Sequence, residues 1–221
     1  NLSIKPMRRR NAAEFAPSPD GRFIAYAAVD PSQRTQLWLY PTAGGTPRQV
    51  TASDRDHLHP QWSPDGRTLS FSSDRTIWTV PANGGVEQRV LPNFDKEHWR
   101  ATWSRDGTRL AFEVAEEEGH IVYTAALDGS DLVRLQGGHS PTWSPDGSRL
   151  LIMPPLVLLS PGLRQIPATG GAVEVIFDDG TAAAEPKYSP DGSQILFIAL
   201  QAADLFVADV GPLLDAQVNL P

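Results

Sequence analysis

The sequence predicts an all-β chain folded as a β-propeller of four-stranded blades, five of them within 221 residues. Three observations lead there. A turn tetrapeptide recurs at the period of a blade, an apolar pair spaced by two follows every copy, and a second glycine turn falls in nearly every interval.

Ser-Pro-Asp-Gly, or a one-residue variant, begins at Ser18, Ser63, Ser104, Ser144 and Ser189, and its glycines lie 45, 41, 40 and 45 residues apart. Proline presets φ at the second position and glycine accepts positive φ at the fourth, so each copy suits a type I turn closing a hairpin. Three residues past the glycine stand Ile24, Leu69, Leu110, Leu150 and Ile195, and two residues further Tyr26, Phe71, Phe112, Ile152 and Phe197. That spacing is strand periodicity with both residues on one face. The residues between them, Ala25, Ser70, Ala111, Leu151 and Leu196, are small or apolar, so the other face is covered as well.

A bulky ring, Trp62, Trp103, Trp143 or Tyr188, precedes the turn in four copies, and Pro17 takes its place in the first. The second turn follows at Gly44-Gly45, Gly84-Gly85, Asp128-Gly129 and Gly170-Gly171, with a weak match at Gly211. Each unit therefore holds four short strands, A to D, with A and B joined by the aspartate turn and C and D by the glycine turn. A lone sheet with two apolar faces cannot bury both, and radial stacking of similar sheets does.

The expected blades run over 11–51, 52–91, 92–136, 137–177 and 178–221, with residues 1–10 an arm or a closing strand. The last blade takes its fourth strand from Ala216–Leu220 or from Leu2–Lys5. In the fourth unit Met153-Pro154-Pro155 and Pro161 predict an irregular loop or an edge, because proline removes a ladder donor. Leu156–Leu159 beside them are either core or an exposed contact surface.

Composition removes several function classes. With 40% hydrophobic and 20% charged residues the chain is not intrinsically disordered. A net charge of −7 opposes nucleic-acid binding, and the cationic cluster Arg8-Arg9-Arg10 reads as a solvated arm. There is no cysteine for a disulfide or a thiolate metal site. The longest apolar run, Leu151–Leu159, is broken by two prolines and is too short to cross a bilayer. The chain opens at Asn1 without an apolar leader, as expected if a signal peptide is removed or the chain starts inside a longer protein.

The stretch from His59 to Phe71, HPQWSPDGRTLSF, followed by Ser73-Asp74-Arg75 and Ile77-Trp78, resembles the WD40-like PD40 repeat of the TolB family of propellers. The likeness covers about residues 11–210. TolB propellers have six blades and follow a small α/β domain; the five repeats of this sequence predict five blades, and the resemblance implies six if the chain is a piece of such a propeller. It also implies a periplasmic or otherwise exported bacterial protein that docks a partner on the propeller.

In such a fold strand A is innermost, so its first residues ring the channel mouth, on the face that carries the D-to-A and B-to-C loops. The hairpin face repeats itself, whereas the loop face varies, and function concentrates on variable loops over a rigid scaffold. Aligned on the pre-turn ring, Glu14, His59, Arg100, Ser140 and Glu185 share one position, with His57, His98 and His139 one or two residues earlier. These eight residues are the expected binding rim.

Three readings of the rim remain open: a hydrated polar ring, a grip for a protein or peptide segment, or a divalent metal held by some of His57, His59, His98, His139 and Glu185. No cofactor other than such a metal is expected. Gly-x-Ser-x-Gly, Gly-x-Gly-x-x-Gly, the phosphate loop and His-Glu-x-x-His are all absent from the sequence. The turn aspartates read as architecture, and Asp178-Asp179 and Glu116–Glu118 as solvated loops with calcium binding the alternative.

The expectation is thus a non-catalytic interaction scaffold. The alternatives are the propeller of a prolyl-oligopeptidase-type serine peptidase, or a metal-dependent lyase resembling the TolB-like oligogalacturonate lyases.

Overall fold

The computed structural model describes residues 15–155, 162–177, 183–189, 191–199 and 204–209. Among them all regular structure is β, arranged as five antiparallel sheets in chain order. The first holds β1 (Phe15–Pro17), β2 (Phe23–Val29), β3 (Thr35–Pro41) and β4 (Arg48–Gln49). The second holds β5 (Leu58–Trp62), β6 (Thr68–Ser73), β7 (Thr76–Pro81) and β8 (Gln88–Arg89). The third comprises β9 (His98–Trp103), β10 (Arg109–Glu116), β11 (Gly119–Ala126) and β12 (Val133–Gly137). The fourth comprises β13 (His139–Trp143), β14 (Arg149–Met153), β15 (Leu163–Pro167) and β16 (Glu174–Phe177). In the fifth, β17 (Ala183–Tyr188), β18 (Gln194–Ala199) and β19 (Asp204–Asp209) are described.

Successive sheets meet through their first strands, β1 against β5, β5 against β9, β9 against β13 and β13 against β17, which puts strand A at the inner edge. The protein is a five-bladed β-propeller.

The recurring turn has one chemistry in all five blades. The serine hydroxyl donates to the aspartate Oδ1 at 2.5–2.6 Å, and the same oxygen accepts the amide after the glycine at 3.0 Å. The glycines sit at φ of +69° to +77°, a region closed to most side chains. These bonds to the ionised form hold Asp20, Asp65 and Asp106 below the usual carboxylate range, and Asp146 and Asp191 down to about 2, with the serine bond the largest cause.

Between blades the pre-turn indoles act as ties. Trp62 Nε1 donates to the Ala16 carbonyl at 2.9 Å, Trp103 Nε1 to Ser70 Oγ at 2.9 Å and Trp143 Nε1 to the Thr102 carbonyl at 3.1 Å. Each bond joins a ring to the preceding blade. Around them the core of the described residues falls into four clusters, each shared by two adjacent blades; Trp143 belongs to the one that joins Ala111 and Val122 of the third blade to Leu150, Ile152 and Ile166 of the fourth.

Two features depart from the regular pattern. Leu196 of the fifth sheet is 37% exposed, whereas its counterparts Ala25, Ser70, Ala111 and Leu151 are at 0%. In the fourth blade Pro154 and Pro155 do leave the ladder, yet β15 resumes a regular register with β14, from Arg149 opposite Pro167 to Ile152 opposite Arg164. The interruption is local because the paired residues, 149–152 before Pro154 and 164–167 after it, do not include the two prolines. The arm at 1–10, Glu14, Leu156–Leu159, Asp178-Asp179 and both alternatives for ring closure lie outside the described residues.

Candidate functional site

Every described inner strand from the second blade onward carries the same defect. Leu58 pairs with Ser72 and Gln61 with Ser70, so His59 and Pro60 together face the single residue Phe71. The step repeats between Trp99 and Thr102, His139 and Thr142, and Ala184 and Lys187. These are β-bulges, and the first bulged residue is left-handed in each: His59 at φ 56°, Arg100 at 53°, Ser140 at 49° and Glu185 at 50°. A non-glycine residue held there costs on the order of 1 kcal/mol, and it persists only where the surroundings enforce it.

The enforcement is visible. The next residue, Pro60, Ala101, Pro141 or Pro186, is buried between blades. The amide freed by the bulge finds a side chain of the preceding blade, from Arg100 N–H to Ser72 Oγ at 3.1 Å and from Ser140 N–H to Glu113 Oε1 at 2.9 Å. Arg100 and Glu185 are exposed, His59 and Ser140 half-buried, and Arg100 Nε lies 3.2 Å from His59 Nε2.

His57 and His98 do not belong to this rim, contrary to the expectation that they converge on it. Both are completely buried. Their amides donate at 2.8 Å to the carbonyls of Thr35, the first residue of β3, and of Arg75, in the turn between β6 and β7, each on the preceding blade. Their rings pack 4.7 Å from Phe71 and 5.8 Å from Phe112. His57 is tied further to Glu87 at 3.2 Å, and Glu87 also pairs with Arg55, which stacks 3.7 Å above Trp78. His98 Nδ1 meets the Lys96 carbonyl at 2.7 Å, its Nε2 has no partner, and burial lowers its pKa. These two imidazoles plug the undersides of loops. The left-handed bulge residue breaks the two-residue alternation of the strand, so His57 and His98 do not share the face of His59 and Arg100.

His139, by contrast, reaches the mouth and is joined there by two residues the sequence analysis did not select. Glu113, on β10, is 1% exposed, and its Oε2 lies 3.2 Å from Nδ1 of His120, at the start of β11, and 3.2 Å from Nδ1 of His139. The two nitrogens are 3.1 Å apart. Trp99 packs edge-on against His120 at 5.0 Å, and Arg100 Nη1 stands 4.0 Å from Glu113 Oε1. The proposed ligand set of His57, His59, His98, His139 and Glu185 is therefore not one cluster; among the described residues the group with converging ligand atoms is Glu113, His120 and His139. One signal was legible: Glu113 is the lone ionisable residue in the apolar stretch Leu110–Val114.

Glycine positions this group. A Cβ on Gly138 would stand 2.6 Å from the Met153 carbonyl oxygen, so only glycine lets the chain pass there, and the Gly138 amide bonds to the His120 carbonyl at 2.9 Å. The strands presenting the two histidines are thereby locked together.

Beside the cluster, on the same face, a cleft of about 610 Å³ opens between the loops of the first three blades, lined in part by Arg34, Leu58, His59, Arg75, Glu97 and Trp99. Among the described residues no helix is long and apolar enough to cross a membrane.

A five-bladed ring with an irregular, side-chain-rich mouth and a uniform hairpin face defines the class: a β-propeller of the WD40-like kind. The chain belongs to the TolB beta propeller domain family, PD40, whose pattern matches residues 4–155. It is similar to the uncharacterized protein Atu1656 of Agrobacterium fabrum, with 26% identity over 200 residues, 82% of this chain and 67% of the relative. It is also similar to the uncharacterized peptidase YuxL of Bacillus subtilis, with 28% identity over 197 residues that span 82% of this chain but only 28% of that protein. Its fold matches the TolB-type protein of Agrobacterium tumefaciens at a TM-score of 0.75 and 20% identity, over 90% of this chain and 76% of that one.

Proposed function

We propose that this propeller is a docking module that holds an extended segment of a partner protein at its mouth, across the cleft between the first three blades. The observation that carries the reading is the recurrent bulge, which sets His59, Arg100, Ser140 and Glu185 at one level in strained backbone. Strained backbone at non-glycine residues is concentrated at binding and catalytic sites, and here the side chains so placed differ from blade to blade. Arg75 and Arg100 suit the carboxylates and carbonyls of a peptide, Glu97 its cations, and Trp99 an apolar side chain. The net charge and the missing nucleophile and nucleotide motifs agree with binding rather than catalysis.

The test is selection of binders from a random peptide library, followed by affinity measurement on a His59→Ala/Arg100→Ala protein and on a control altered at Val86, which is 78% exposed. The mouth variant should bind at least about tenfold more weakly, as loss of a central arginine commonly does. The control should be unchanged. Equal affinities in the two variants would remove the mouth as the site.

One observation favours a second reading: YuxL is described as a peptidase, and the match covers a propeller-sized part of it. In that reading the ring caps a catalytic domain lying beyond these residues. A reading frame that continues into a Gly-x-Ser-x-Gly segment would support it, and one that stops would end it. An envelope location belongs to the first reading, and fractionation of the native cell checks it.

A further inference from the structure

We infer that Glu113, His120 and His139 form a binding site for one divalent transition-metal ion at the mouth, between the third and fourth blades. The inference does not depend on peptide docking. It rests on the shape of the ligand triangle, on its hydrogen-bond frustration and on the burial of its carboxylate.

The three ligand atoms lie 3.2, 3.2 and 3.1 Å apart. An ion about 2.1 Å from each, the usual distance to imidazole nitrogen and carboxylate oxygen, would sit about 1.0 Å above their plane. Ligand atoms on such an ion are about 3.0 Å apart in octahedral and about 3.4 Å apart in tetrahedral geometry, and the observed edges fall between. The three ligand atoms therefore already stand at the separations such an ion requires.

Without an ion the same triangle is hard to satisfy. With Glu113 ionised, protonating both Nδ1 atoms satisfies the carboxylate but sets two N–H groups against each other at 3.1 Å. Removing either proton turns a nitrogen lone pair toward the carboxylate oxygen at 3.2 Å. With the carboxylate ionised each of these assignments leaves one edge repulsive, and a cation bound to all three atoms removes the conflict.

The carboxylate is 1% exposed, and its second oxygen is fixed by the Ser140 amide at 2.9 Å. Such an outer partner orients a metal ligand. His120 and His139 remain 38% and 28% exposed, so the ion would keep positions open to the mouth for water or for a ligand's carboxylate. Two imidazoles and one carboxylate suit zinc, manganese or iron(II) and discriminate against calcium, which prefers oxygen alone.

The test is calorimetric titration of chelator-stripped protein with Zn²⁺ and, separately, Mn²⁺, with circular dichroism confirming that each variant is folded. Wild type should bind one ion per chain, His120→Ala and His139→Ala should each bind at least about tenfold more weakly, and Val86→Ser, at an exposed position away from the mouth, should bind as wild type does. Absence of binding to wild type, or equal binding by wild type and both cluster variants, would overturn the site. Should either variant fail to fold, anomalous scattering from zinc in wild-type crystals decides: a peak between these three side chains supports the inference, and a peak elsewhere or none refutes it.

Discussion

The bond from Trp103 Nε1 to Ser70 Oγ, 2.9 Å long, is the tie between the second and third blades that can be cut from either side by a side-chain change. Ser70 is completely buried in β6, so Ser70→Ala leaves the indole N–H facing an apolar group, at a cost of about 1–3 kcal/mol. Trp103→Phe leaves the serine hydroxyl without its indole donor and removes ring area, which adds about 1–3 kcal/mol. The double variant has neither orphan, because both partners are then apolar. Its loss should therefore fall short of the sum by about 0.5–1.5 kcal/mol, the net worth of such a bond. Urea unfolding followed by far-ultraviolet circular dichroism gives each of the four stabilities from the midpoint and slope. An unchanged slope shows that the blades still unfold together. Additivity within about 0.3 kcal/mol would mean that the pre-turn ring fills space without tying blades.

Other consequences follow from single positions. Gly138→Ala forces a Cβ toward the Met153 carbonyl and should cost about 1–3 kcal/mol in a urea titration, the usual penalty of overpacking; a loss below about 0.5 kcal/mol would show that the strand can shift freely. Ser140→Gly relieves left-handed strain and should be neutral or stabilising by up to about 1 kcal/mol, whereas Ser140→Val should destabilise by about 1–2 kcal/mol; equal effects would deny the strain. The turn aspartates titrate lower in the folded protein than their ordinary value of 3.8, so their contribution is complete above that value and fades as pH falls toward about 2. His98, also held below its ordinary 6.5, should begin to erode stability once pH falls beneath that value, since the unfolded chain then takes up a proton the buried ring refuses. Thermal melts from pH 8 to pH 2 check both, and a melting temperature that is flat below pH 6.5 would contradict them.

The mouth shows how legibility depends on what repeats. Residues 59, 100, 140 and 185 could be aligned because each stands three before the aromatic ring that marks the last four blades, and all four prove to occupy equivalent bulges. His57 and His98 shared that regularity, yet a side chain's direction reverses with each step along a strand, and the bulge adds another turn that no spacing rule reports. Glu113 and His120 escape an alignment of the repeats for a different reason, although Glu113 stands out as the lone ionisable residue of its apolar stretch. Their counterparts in other blades are unlike them, Ser72 and Met153 standing where Glu113 does, so repetition could not single them out.

By itself the amino-acid order determined the repeated sheets, their hairpin chemistry and the apolar pairs of the second strands, because those depend on residues close in the chain and written several times over. Which polar side chains meet at the mouth was decided only in three dimensions. Glu113, His120 and His139 come from three strands on two blades, and it is the stagger of those blades, with Gly138 allowing the chain to pass close to Met153, that brings their ligand atoms within 3.2 Å.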